Sequence, residues 1–74
     1  MLIKKLPKEA RNFRKQASGE ASYSVGYFEG EKIFQIQTYG SSERQAKGVA
    51  SQTIQFDKTQ AIELIALLKK EFDL

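Results

Sequence analysis

The sequence has no cysteine, no histidine and no tryptophan, and only one proline and one methionine. Without cysteine there is no disulfide. Without cysteine and histidine there is no thiol nucleophile, no imidazole base and none of the usual ligands for zinc, copper or iron. Carboxylates and carbonyls remain, which suit calcium or magnesium, but no Asp/Asn-rich calcium loop is present. The carboxylates are scattered rather than paired. Gly26, Gly30 and Gly40 suit turns and a strand rather than a phosphate-cradling loop, and Ser41-Ser42 before Glu43-Arg44 reads as ordinary loop. No catalytic residue, metal or cofactor is expected. No apolar run approaches the ~18 residues of a membrane span, and Met1 to Pro7 holds no apolar core of signal-peptide length. A cytoplasmic location is expected, in keeping with the lack of cysteine.

Seventy-four residues make one small domain. At this size only about 60% of the unfolded surface is buried on folding, so a single core is marginal unless something reinforces it. With disulfides excluded and no metal site in view, self-association is the reinforcement left, and a homodimer is expected.

The net charge of +3 is unevenly placed. Residues 1–20 hold Lys4, Lys5, Lys8, Arg11, Arg14 and Lys15 against Glu9 and Glu20, whereas the rest of the chain is close to neutral. Such an arm suits a polyanion, and equally suits a solubilising tail that touches nothing. It is read either as extended or as a short helix. In the helical case Pro7 stands near the start, Ser18-Gly19 ends it, and Leu6, Ala10, Phe13 and Ala17 share one thin apolar face.

From Ala21 the apolar period changes to two. Tyr23, Val25 and Tyr27 alternate with Ser22, Ser24 and Gly26, which predicts a half-solvated strand. Glu29-Gly30-Glu31 supplies a turn, and Lys32 to Tyr39 is the hairpin partner. In that partner Phe34, Ile36 and Thr38 point one way, and Ile33, Gln35, Gln37 and Tyr39 the other. Gly40 to Gly48 is a polar loop, and Val49 to Phe56 is a third strand. Asp57 then caps a helix, with Gln60 at capping-box spacing. Ala61, Leu64, Ile65, Leu68 and Phe72 form its apolar stripe. Ile62, Ala66 and Leu67 fall outside the centre of that stripe. They predict either a second burial surface, a dimer interface, or simply a broad stripe buried within one chain.

The polar positions of the strands carry the chemistry. Tyr23, Tyr27 and Tyr39 are read as outward, together with Gln35 and Gln37, so that one face offers both stacking rings and two-way hydrogen-bonding groups. Single-stranded nucleic acid is held by such side chains, with Arg44 and Lys47 in the loop placed to clamp a phosphate. The plain alternative is an ordinary solvent-facing sheet with half-buried tyrosines.

Three stretches carry a resemblance: Lys32-Ile33-Phe34-Gln35-Ile36-Gln37-Thr38-Tyr39, then Lys47-Gly48-Val49, then Thr53-Ile54-Gln55-Phe56 leading into the Asp57 helix. Over residues 23–72 they resemble the single-stranded-DNA-binding domain of the transcriptional positive cofactor four type and its small bacterial relatives. The resemblance implies a curved antiparallel sheet followed by one helix, dimerisation partly through that helix, and a role in transcription regulation. The sequence departs from the pattern in having tyrosines and glutamines where the family has basic and aromatic strand residues. The path from Lys-Gly to the helix is longer here, and residues 1–20 would have to supply a fourth strand.

The expected fold is therefore α+β, with an antiparallel sheet of three or four strands packed on one C-terminal amphipathic helix (residues 21–74) after a basic arm (residues 1–20). The expected function is single-stranded DNA or RNA binding. The alternative is a small protein-binding regulator or inhibitor of phage or plasmid accessory type, using the same face or the Arg44 loop.

Overall fold

The computed structural model describes residues 1–39 and 52–74. Strands β1 (Ala21–Phe28), β2 (Glu31–Thr38) and β3 (Gln52–Phe56) form one antiparallel sheet in the order β1-β2-β3, and helix α1 (Lys58–Phe72) follows. The chain is α+β, an open antiparallel sheet and one C-terminal helix. Arg44, Lys47, the Gly40 to Gly48 loop and the start of the third strand at Val49 lie outside the described residues.

The β1–β2 turn is shorter than the sequence suggests. Phe28 stands opposite Glu31, so only Glu29 and Gly30 form the loop, with φ of 53° and 79°. Two successive positive φ angles give the turn whose twist matches that of a hairpin. Gly30 takes this conformation without steric cost, and Glu29 takes it despite its Cβ.

The outer side of β3 is occupied by the beginning of the chain. Leu2 bridges Gln55 in parallel; the Ile3 N–H donates to the Gln55 carbonyl (2.9 Å), and the Gln55 N–H to the Met1 carbonyl (2.9 Å). The Met1 nitrogen donates to the Thr53 carbonyl at 3.0 Å. Residues 1–3 thus belong to the sheet rather than to an arm. No helix forms in residues 4–20. Of the thin stripe expected there only Leu6 is half-buried, Ala10 and Ala17 are exposed, and Phe13 is 88% exposed. A short isolated helix is marginal in water, whereas the first residues gain three backbone hydrogen bonds on β3.

Asp57 caps α1 as expected, its carboxylate accepting the Gln60 N–H at 2.9 Å. The reciprocal half of the capping box is missing. The Gln60 amide donates instead to the Lys4 carbonyl (2.8 Å), tying the start of the chain to the helix, and its buried Oε1 has no partner. Asp73 closes the helix in the left-handed region (φ 54°), and the Leu74 N–H bonds the Lys69 carbonyl, which leaves Lys69 and Lys70 at the favourable end of the helix dipole.

The core is small. Among the described residues only Ile33 and Phe56 are buried apolar side chains. The helix turns Gln60, Leu64 and Leu67 inward, whereas Ile65, Leu68 and Phe72 from the expected stripe are exposed. Counting about 100° per residue, the inward side lies roughly a quarter turn from the centre of that stripe. Phe56→Ala is expected to cost about 3–5 kcal/mol in urea unfolding and Asp57→Ala about 1 kcal/mol, whereas Phe13→Ala stays within about 0.5 kcal/mol.

Candidate nucleic-acid interface

Register decides which side chains share a side of the sheet. Directly opposed residues lie on one face, so the pairs Tyr23↔Ile36, Val25↔Phe34 and Tyr27↔Lys32 define an apolar face that β3 continues with Ile54 and Phe56. The pairs Ser22↔Gln37, Ser24↔Gln35 and Gln35↔Gln55 define the other, polar face.

This separates residues that the sequence pattern alone joins. Gln35, Gln37 and Tyr39 lie on the polar face, and Tyr23 and Tyr27 on the apolar one. A three-residue turn would have placed Tyr27 opposite Ile33 and Tyr23 opposite Gln37, uniting tyrosines and amides. The two-residue turn shifts the pairing by one position, and a one-residue shift exchanges the faces.

On the polar face the amides are engaged with one another. Gln55 Nε2 donates to Gln35 Oε1 (2.8 Å), and Gln35 Nε2 donates to Gln37 Oε1 (2.9 Å). Gln37 Nε2 donates to the hydroxyls of Ser22 (2.7 Å) and Ser24 (3.0 Å), and Ser22 shares a hydrogen bond with the Tyr39 hydroxyl at 2.9 Å. The amides run head to tail over β3 and β2 and reach β1 through its serine hydroxyls, an arrangement in which each bond polarises the next. Gln37 is buried within it. These groups hold the strands in register and are already spent as readers of a base.

The apolar face is open. Tyr23 and Phe34 stack with centroids 5.0 Å apart and planes 14° from parallel. Lys32 Nζ lies 5.7 Å from the centroid of the Tyr27 ring, within range of a cation–π contact. Tyr23 and Tyr27 are 67% and 68% exposed, far more than a packing role requires. Beside them is a cleft of about 230 Å³ between sheet and helix, lined by Val25, Phe34, Phe56 and Ala61 together with the charged Lys32, Asp57 and Lys58.

Lys32 and Lys58 do not stand out in the sequence, although Lys32 shares the parity of Phe34 in β2 and Lys58 opens the helix directly after β3. The expected cations of residues 4–15 are all exposed. Lys8 pairs with Glu71 at 3.3 Å, at the far end of α1. Among the expected interface residues of the helix, Ile62 and Ala66 are exposed and Leu67 is half-buried within the chain. Among the described residues no acidic side chains converge as a metal site would require, and no helix is long and apolar enough to cross a membrane. No protein-family model, curated protein or solved structure was found to match the chain.

Because the amides bond one another, Gln37→Ala is expected to lower stability by about 1–3 kcal/mol. The same variant should leave affinity for a single-stranded oligonucleotide unchanged when both are measured in one buffer.

Proposed function

We propose that this chain is a cytoplasmic, homodimeric module that binds single-stranded DNA or RNA on the apolar face of its sheet, without catalysis. The observation that carries the reading is the grouping of Tyr23, Phe34 and Tyr27 with Lys32 on one open surface. Single strands are held by aromatic rings on which bases stack, with cations beside them for the phosphates, and stacking tolerates any base sequence. In this reading Tyr23 extends the Tyr23–Phe34 stack to one base and Tyr27 takes another. Lys32 and Lys58 meet the backbone locally, and Arg11, Arg14 and Lys15 add long-range attraction. The resemblance of residues 23–72 to a single-strand-binding domain supports the same reading.

The two contributions separate by their salt dependence. Replacing Tyr23 or Tyr27 with Ala is expected to weaken binding of a short oligonucleotide by about 1–3 kcal/mol and leave the slope of log affinity against log salt unchanged. Neutralising Arg11, Arg14 and Lys15 with Gln leaves residues 1–8 to dock, and should flatten that slope by about 0.7 for each phosphate that is no longer neutralised. Fluorescence anisotropy at several salt concentrations reads both. If wild-type protein leaves the oligonucleotide free at low salt, the reading is wrong, and the same apolar face is then assigned to a protein partner.

A further inference from the structure

The two edges of the sheet differ. The outer edge of β3 is taken by residues 1–3, with Leu2 bridged to Gln55. The outer edge of β1 is open, and among the described residues no strand lies beyond it. Which backbone groups that edge presents follows from one hydrogen bond. The Tyr39 N–H donates at 3.1 Å to the carbonyl of Glu20, the residue just before β1. Along an antiparallel strand, residues bonded to the neighbour alternate with residues whose groups point away. Ser22, Ser24 and Gly26 therefore turn their N–H and C=O to β2, and Ala21, Tyr23, Val25 and Tyr27 turn theirs outward.

Exposed edges are ordinarily blunted by a lysine, a proline or a bulge. β1 has none of these. Ala21–Phe28 holds no charged residue and no proline, and it pairs with β2 without interruption from Ala21↔Thr38 to Phe28↔Glu31.

We propose that β1 of a second copy of the chain pairs with this edge, antiparallel, about a two-fold axis at Ser24, joining the two sheets into one. This pairing rests on the homodimer of the proposed function, and not on what that dimer binds.

The edge is complementary to itself. A two-fold axis perpendicular to the sheet sets odd residues opposite odd ones, so the ring-bearing faces of both copies fall on the same side. With the axis at Ser24, Ala21 meets Tyr27 of the other copy and Tyr23 meets Val25. Every outward N–H and C=O of those residues then gains a partner. Tyr23 beside Val25 is also a favourable cross-strand pair of a ring with a β-branched side chain. Between these pairs the strands come closest, and there the residues are small: Ser24 faces Ser24, and Ser22 faces Gly26. An axis at Val25 would instead set Ala21 against Glu29, which is in the turn at φ 53°. An axis at Tyr23 would set Tyr27 against Gly19, outside the strand. No charged residue of β1 opposes another, and with β3 covered by residues 1–3 the pairing stops at two copies instead of growing into a fibre.

Because the sequence has no cysteine, a single introduced thiol reports the pairing. Ser24→Cys places two thiols across the axis at a Cα separation of about 4.5 Å, inside the range that a disulfide spans. Ser22→Cys is the matched control: its hydroxyl, like that of Ser24, accepts from the Gln37 amide, but here it lies about 13 Å along the strand from its counterpart. Under mild oxidation Ser24→Cys should form a covalent dimer on a non-reducing gel, at least about ten-fold faster than Ser22→Cys. By sedimentation equilibrium, wild type should be a dimer. Val25→Pro should weaken association about thirty-fold, because it removes an outward N–H from each copy while breaking no bond to β2. Circular dichroism checks that this variant is folded, and if it is not, the thiol pair decides. A wild type that stays monomeric at roughly tens of micromolar protein overturns the pairing. So does a dimer in which Ser22→Cys is joined as fast as Ser24→Cys, or one indifferent to a folded Val25→Pro. Oligonucleotide binding is read on the same wild-type samples. A dimer joined through Ser24→Cys whose wild type leaves the oligonucleotide free counts against the nucleic-acid reading alone.

Discussion

Two positive φ angles, at Glu29 and Gly30, hold the β1–β2 turn to two residues, and the side on which each hairpin residue lies follows from that count. With Phe28 opposite Glu31, odd positions of β1 meet even positions of β2. All rings of the hairpin but those of Phe28 and Tyr39 fall on one side, and all its glutamines on the other. One more residue in the turn would mix them. Each face would then be half polar and half aromatic, with neither a continuous stacking surface nor a continuous chain of amides. The separation of a hydrogen-bonded polar face from an open apolar one thus follows from the length of the turn.

The two faces have different physical duties because their groups are satisfied differently. An amide that donates and accepts within its own sheet gains little by meeting a ligand, since it must first give up a bond of comparable strength. Gln35 and Gln37 are in that position, with Gln37 bonded to three side chains. A ring has no such obligation. Tyr23 keeps one side against Phe34 and is otherwise largely open, so a flat apolar partner can be added without breaking anything. Any ligand of the sheet is therefore expected on the side of the rings, whatever its chemical class.

Much of the fold is legible in the sequence because it is written in local signals. The alternation of Tyr23, Val25 and Tyr27, the Asp57 cap and the Ala61–Phe72 period each need only a few neighbouring residues to be recognised. The site is legible in part. Its tyrosines stand out, but their companions do not, because face membership depends on a turn length that Glu29-Gly30-Glu31 leaves open by one residue. The pairing of Met1 to Ile3 with β3 has no local signal at all: three residues carry no period, and the hydrogen bonds they make are to the backbone. The direction of the helix stripe is likewise invisible, since periodicity defines a stripe and not what it faces.

That last point joins the ends of the chain. A lone amphipathic helix beside a lone sheet ordinarily turns the centre of its stripe to the sheet. Here the side of α1 turned inward begins at Gln60, whose amide is bonded to the Lys4 carbonyl, and its line continues past Leu67 to the exposed Glu71, whose carboxylate is paired with Lys8. Residues 4–8 therefore track that side of the helix from its first turn to its last, with half-buried Leu6 between the two fastenings. The exposed pair is worth at most about 1 kcal/mol, so the buried Gln60 bond is the stronger of the two. With that side of α1 given to the start of the chain, the apolar stripe is left facing outward. The same segment covers the outer edge of β3, so the exposed stripe follows from how residues 1–8 dock.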